Sequence, residues 1–241
     1  MKAAHKYNKN IKRVVVTSSV ASIVHPVEGV KEYTEKDWND HSPKEIETKG
    51  ADASPLHMYM GSKTLAERAA WEFVNNEKPT FDLVTVCPPL VIGPLLHEVK
   101  SPESLNTSVA KFYELYNGSL KDASAEKLIE PMSNIVDVRD VANTHVLGLT
   151  IPQAGGNRYI SASDRGLVTM QDFADALHEH LPDDEDVKKN IPIGNKGAGK
   201  DLKRNRYVNE KAKKELGQSF FQQHQSAVDT FLSIKEYAKN W

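Results

Sequence analysis

The sequence predicts an α/β protein: an incomplete, doubly wound parallel sheet with a smaller lobe built from later parts of the chain. Three observations carry that expectation. Val14-Val-Val-Thr-Ser-Ser19 is an apolar β-branched run ending in hydroxyls, as a buried strand does when it delivers a side chain to its carboxyl end. Tyr59-Met-Gly-Ser-Lys63 sets a phenol and an ammonium four positions apart, on one face of a helix. Phe81-Asp-Leu-Val-Thr-Val-Cys87 is a second Val-rich strand, stopped by Pro88-Pro89. Open α/β sheets place their ligands at such strand ends.

The elements follow in order. Residues 2–10 read as a helix end and 12–18 as a buried strand. Residues 20–56 are polar and turn-rich, with Pro26, Pro43 and Pro55, and Tyr33 to Trp38 is expected to form a short helical piece. A helix over about 58–76 should bury Leu65, Ala66, Ala69, Ala70 and Phe73. After the Phe81–Cys87 strand the character changes, and Ser108 to Tyr116 has helical spacing. Asn134 to Val138 returns as a strand, a helix covers about 139–150, and Arg158 to Ser161 is a last strand. Thr169-Met-Gln-Asp172 has the form of a capping box and opens a helix to about 181. A charged, Gly-containing loop over 182–206 leads to two helical segments near 208–216 and 225–239.

A phenol beside an ammonium can exchange a proton with a substrate oxygen, and a strand-end hydroxyl can donate to that oxygen as charge grows on it. Tyr207-Val-Asn-Glu-Lys211 repeats the spacing but follows a basic loop, and reads as an exposed helix start. Ser18 and Thr17 are assigned to backbone groups at the strand end. Asp137, Arg139 and Asp140 read as an ion-pair network at a strand–helix joint. His178 and His180 point to different sides of a helix, so no metal site is expected.

The order of Ser19, Tyr59, Lys63 and Cys87-Pro-Pro-Leu-Val-Ile-Gly-Pro94 resembles the extended short-chain dehydrogenase/reductase family, within the epimerase/dehydratase superfamily. The nearest likeness is to the dihydroflavonol reductase, cinnamoyl-CoA reductase and fungal methylglyoxal or aldehyde reductase branch. The resemblance implies a Rossmann-type cofactor domain, here 1–94 with 135–165, and a substrate lobe, 95–134 with 166–241. It implies NADP(H), with NAD(H) as the alternative, and reduction of an aldehyde or ketone to an alcohol. Ser19, Tyr59 and Lys63 take the catalytic places, and Tyr59, Lys63, Pro88, Val91 and Ser108 the cofactor side. Thr107 and Ser108 read equally well as a helix cap. Cys87 stands where many relatives carry Asn.

The family opens with a glycine-rich turn whose helix amino end holds the cofactor pyrophosphate, and no such turn occurs among the 13 glycines. The expectation is therefore a chain matching the later two thirds of such an enzyme, with Met1 an internal methionine and weak binding of NADPH by these residues alone. An epimerase or hydroxysteroid dehydrogenase would use the same triad, and an inactive fragment or cofactor-sensing scaffold would keep the fold; both readings stay open.

Composition bounds the rest. Lys and Arg number 31 against 33 Asp and Glu, a net charge of −2 that favours neither nucleic acid nor an anionic membrane. One cysteine excludes an internal disulfide and suits a reducing compartment, so the cytoplasm is expected. No apolar run approaches the ~20 residues of a membrane helix. The expected partner is a small carbonyl compound.

Overall fold

The computed structural model describes residues 1–200 and 202–241. In chain order the elements are α1 (Lys2–Tyr7), β1 (Arg13–Thr17), β2 (Glu32–Tyr33), α2 (His41–Lys49), α3 (Pro55–Glu77), β3 (Asp82–Cys87) and β4 (Leu90–Ile92). Then come α4 (Thr107–Tyr116), α5 (Ala125–Leu128), β5 (Ile135–Asp137), α6 (Val138–Thr150) and β6 (Asn157–Ile160). The chain ends with α7 (Met170–His180), α8 (Glu185–Asn190), β7 (Arg206–Tyr207), α9 (Glu210–Leu216) and α10 (Gln223–Ala238). They form two compact units, each assembled from three stretches of chain.

The first unit comprises Met1–Pro89, Asp140–Asp164 and Tyr207–Ser219. Its sheet is parallel, in the order β1-β3-β6, with Val15 opposite Val84 and Val86 opposite Tyr159. Successive strand side chains point to opposite faces, and β3 shows what covers each. Thr85 donates to Glu67 of α3 at 2.7 Å, whereas a Cβ on Gly148 of α6 would meet the neighbouring Val84 at 3.2 Å. Helices therefore lie on both faces, as a doubly wound sheet requires. Arg13 joins sheet to helix: it forks onto Asp82 at 2.6 and 2.8 Å and donates to the carbonyls of Gly148 and Ile151 where α6 ends.

Four expectations are corrected in this unit. Val14, Val15 and Val16 are half-buried rather than buried, because β1 is an outer strand with β3 as its neighbour. Tyr33 to Trp38 is not helical: Tyr33 pairs with the 206–207 strand, and Asp37 turns the chain by accepting from Thr34 N at 2.8 Å. Leu65, Ala66 and Ala69 face outward, and Ala70 and Phe73 are half-buried; α3 buries Gly61, Thr64 and Glu67 instead. Tyr207 is no exposed helix start, since it is 5% exposed and packs its ring against Tyr33 at 6.1 Å. The outer strand β6 is covered by the turn that follows β2, where the Glu35 carboxylate accepts from Ile160 N at 3.1 Å.

The second unit comprises Leu90–Arg139, Arg165–Arg206 and Phe220–Trp241. β4 and β5 pair in parallel, Val91 opposite Val136, so a second short strand follows directly after Pro89. α4, α7 and α10 enclose Phe112, Leu115, Phe173, Leu177, Phe231 and Ile234, all at most 3% exposed. The expected capping box is present: Thr169 Oγ1 accepts from Asp172 N, and Asp172 accepts from Thr169 N at 2.9 Å. The boundaries differ from those expected. Leu90–Pro94 and Ile135–Arg139 fall in the second unit because their strands pair with each other, and Tyr207–Ser219 falls in the first through Tyr207.

Candidate active site

Ser19 follows the carboxyl end of β1, where Ser18 N still donates to Val86 O of β3 at 2.7 Å. Its backbone is extended, and its hydroxyl accepts from Ala21 N at 3.1 Å, capping the short turn Val20–Ser22. A serine hydroxyl has one proton and two lone pairs. The cap uses a lone pair, so the proton remains available to donate. Ser19 is 8% exposed. The same turn lies beside Pro88, whose carbonyl accepts from Val20 N at 3.1 Å.

Tyr59 and Lys63 occupy the second and third turns of α3, which starts at Pro55 behind the Ser54 cap. α3 packs against the Val20–Ser22 turn, so the Ser19 segment and the Tyr59/Lys63 helix are neighbours. Tyr59 is 55% exposed and Lys63 half-buried. Neither the phenol nor the ammonium finds a hydrogen-bond partner among the described residues. The glycine between them sits close to α2: a Cβ on Gly61 would lie 2.3 Å from Ile46 Cδ1, so a side chain there would make Ile46 move. The three residues thus present a phenol, an ammonium and a hydroxyl with free hydrogen-bonding capacity.

Pro88 is buried in the first unit. Val91 on β4 and Ser108 on the first turn of α4 are half-buried in the second. Ser108 does not cap α4; the cap position is Asn106. Val91 lines a pocket of ≈ 270 Å³ with Gly93, Leu95, Leu96, His97 and Val109. Gly93 has φ +124°, a conformation that excludes a side chain. At the β5–α6 joint Arg139 forks onto Asp137 at 2.8 Å and also pairs with Asp229, which was not among the expected residues; Asp140, which was, accepts from Gln218 at 3.5 Å. The second Tyr/Lys pair is structural, since Lys211 donates to Asn157 at 2.7 Å.

Beneath Ser19 lies a group that the sequence reading passed over. The Glu67 side chain is fully buried, and its carboxylate accepts from Ser18 at 2.6, Ser22 at 2.5, Thr85 at 2.7 and Trp71 at 3.3 Å. Arg158 of β6 forks onto it at 2.7 and 3.2 Å, donates to the carbonyls of Glu35 and Asp37, and stacks on Trp38 at 3.7 Å. Burial opposes ionisation of Glu67, but Arg158 and the hydroxyl donors outweigh it and hold the carboxyl below its usual range. Burial and the Glu67 charge push the Cys87 thiol up to about 12. A signal was present: Glu67 continues the four-residue spacing of Tyr59 and Lys63.

Among the described residues no cluster of side chains could hold a metal ion, and no helix is long and apolar enough to cross a membrane.

No family model matches the chain. It is 35% identical over 238 residues to a ketoreductase of Aspergillus niger, covering 96% of this chain and 65% of that protein. It is 34% identical over 233 residues to the NADPH-dependent methylglyoxal reductase of Saccharomyces cerevisiae, covering 95% of this chain and 65% of that protein. The chain thus spans just under two thirds of the length of these curated relatives. The crystal structure of the yeast methylglyoxal/isovaleraldehyde reductase complexed with NADPH superposes with a TM-score of 0.82 at 30% identity, covering all of this chain and 68% of that one.

Proposed function

We propose, from the premise that this chain belongs to the extended short-chain dehydrogenase/reductase family, that the protein carrying it reduces an aldehyde or ketone to an alcohol with NADPH. The observation that carries the reading is the convergence of the Ser19 turn with the unpartnered Tyr59 and Lys63 of α3. Bound NADPH would supply the hydride. Ser19 donates its free proton to the carbonyl oxygen as negative charge grows there. Tyr59 gives that oxygen its proton, and the Lys63 ammonium, one turn away, stabilises the phenolate left behind. Lys63 also has donors for the ribose hydroxyls. Pro88, Val91 and Ser108 are assigned to the cofactor side, as the family resemblance implies. Relatives that act on methylglyoxal and ketones favour small carbonyl compounds as substrates. The cytoplasm fits both the supply of NADPH and a single buried thiol.

The test is a screen of small aldehydes, ketones and α-dicarbonyls with the natural protein that contains this chain, read as loss of NADPH absorbance. Turnover is expected, lost about 10²-fold or more in Tyr59→Phe and nearly unchanged in Tyr207→Phe. A folded protein that oxidises NADPH with no carbonyl, or equal losses in both variants, overturns the reading.

A further inference from the structure

The Glu67–Arg158 pair is expensive where it stands. Taking both charges out of water is repaid only by their attraction and by further hydrogen bonds, and an apolar pair of similar volume often serves stability as well or better. Stability alone therefore does not account for a carboxylate at this point in the fold. What distinguishes the site is where its other donors come from. Ser18 and Ser22 flank Ser19, one at the end of β1 and one at the end of the capping turn. Thr85 belongs to the central strand, Trp71 to α3 itself.

Ser22 shows how tightly the carboxylate is coupled to Ser19. Its hydroxyl lies 2.5 Å from Glu67 Oε2 and 2.7 Å from the Ser19 carbonyl. It has one proton, and the charged acceptor takes it. The Ser19 carbonyl keeps the backbone N–H of Ser22 at 3.0 Å. Ser18 is fixed from the other side at 2.6 Å. Ser19, the first of the three residues between them, then has little freedom, and its hydroxyl is turned onto Ala21 N. Glu67 also stands four and eight residues beyond Lys63 and Tyr59, on their stripe of α3. One carboxylate thus ties the segment bearing Ser19 to the helix bearing Tyr59 and Lys63.

We propose that Glu67 is a positioning residue of the active site: through Ser18 and Ser22 it fixes the direction in which Ser19 donates, and it registers that donor against Tyr59. The proposal rests on the catalytic reading of Ser19 and Tyr59. Its consequence is kinetic. Misplacement of a reacting group by about 1 Å can lower the rate about 10²-fold while leaving the fold intact.

Three variants of the natural protein decide the matter by steady-state kinetics and thermal midpoints. Ser18→Ala with Ser22→Ala leaves the Arg158, Thr85 and Trp71 contacts of Glu67 in place. Glu67→Gln with Arg158→Met removes both charges together, so neither is stranded. Tyr59→Phe is the reference. In both double variants kcat should fall about ten- to a hundredfold, with KM within about threefold and a cooperative thermal transition retained. Unchanged kcat in the folded serine double variant, with Tyr59→Phe inactive, overturns the positioning role and spares the catalytic reading. Turnover surviving in Tyr59→Phe overturns both. Should the serine double variant fail to fold, the charge-free pair decides: wild-type kcat there also overturns the role.

Discussion

At the scale of single residues, the acid limb of stability should carry the signature of Glu67. Burial would raise its carboxyl, yet Arg158, Ser18 and Ser22 together hold it below the ordinary range. A glutamate whose folded value lies beneath its unfolded one, near ~4.3, adds stability above that pH and loses it as pH falls through the folded value. Urea midpoints of the wild type should therefore drop more steeply below about pH 4 than those of Glu67→Gln with Arg158→Met, which has nothing to titrate there. Parallel curves would mean that Glu67 is not held as a carboxylate. Glu67 was legible in principle, one four-residue step past Lys63. Arg158 was not. A strand arginine reads as solvent-facing, and its burial depends on Trp38 and the carbonyls of Glu35 and Asp37, about 120 residues earlier. Ser19, Tyr59 and Lys63 were visible because strand end, helix and spacing are local features.

Among elements, α3 shows where periodicity misleads. Its alanines and Leu65 form an apolar stripe, but the face it buries within the first unit is Gly61, Thr64 and Glu67. The packing of α2 explains Gly61, and it can be tested. Alanine there should gain about 1 kcal/mol of helix propensity and lose roughly 1–3 through overpacking against Ile46. Ile46→Val removes the Cδ1 atom that blocks the new methyl. A double-mutant cycle by urea denaturation should show Gly61→Ala less harmful in the Ile46→Val background by about 1 kcal/mol. Strict additivity would mean that α2 yields as a body. The long strands and α3, α4, α6, α7 and α10 were legible because each carries its own repeat or cap. β2, β4 and β7 were not, because each is two or three residues long and gains its identity from a distant partner.

For the whole molecule, the governing fact is that both units are discontinuous. Each takes three stretches of chain, and the two sets alternate. A cut at a sequence boundary therefore removes part of a core. A chain ended after Arg206 lacks Tyr207, which completes the cluster of Ile23, Tyr33, Cys87 and Ile160, and α9, which packs against β6. Its remaining tryptophans, Trp38 and Trp71, both report on the first unit. Their emission should be that of exposed indoles, with no cooperative urea transition; a sharp transition would show that this unit closes without its last stretch. The same alternation has a meaning for synthesis. The ring that packs on Tyr33 is added some 170 residues after it, a wait of about ten to thirty-five seconds at ribosomal rates of ~5–20 residues per second. Throughout that interval the nascent chain presents Ile23, Tyr33 and Cys87 with their partner not yet made. The cluster around Tyr33 can be completed only after synthesis has passed Tyr207.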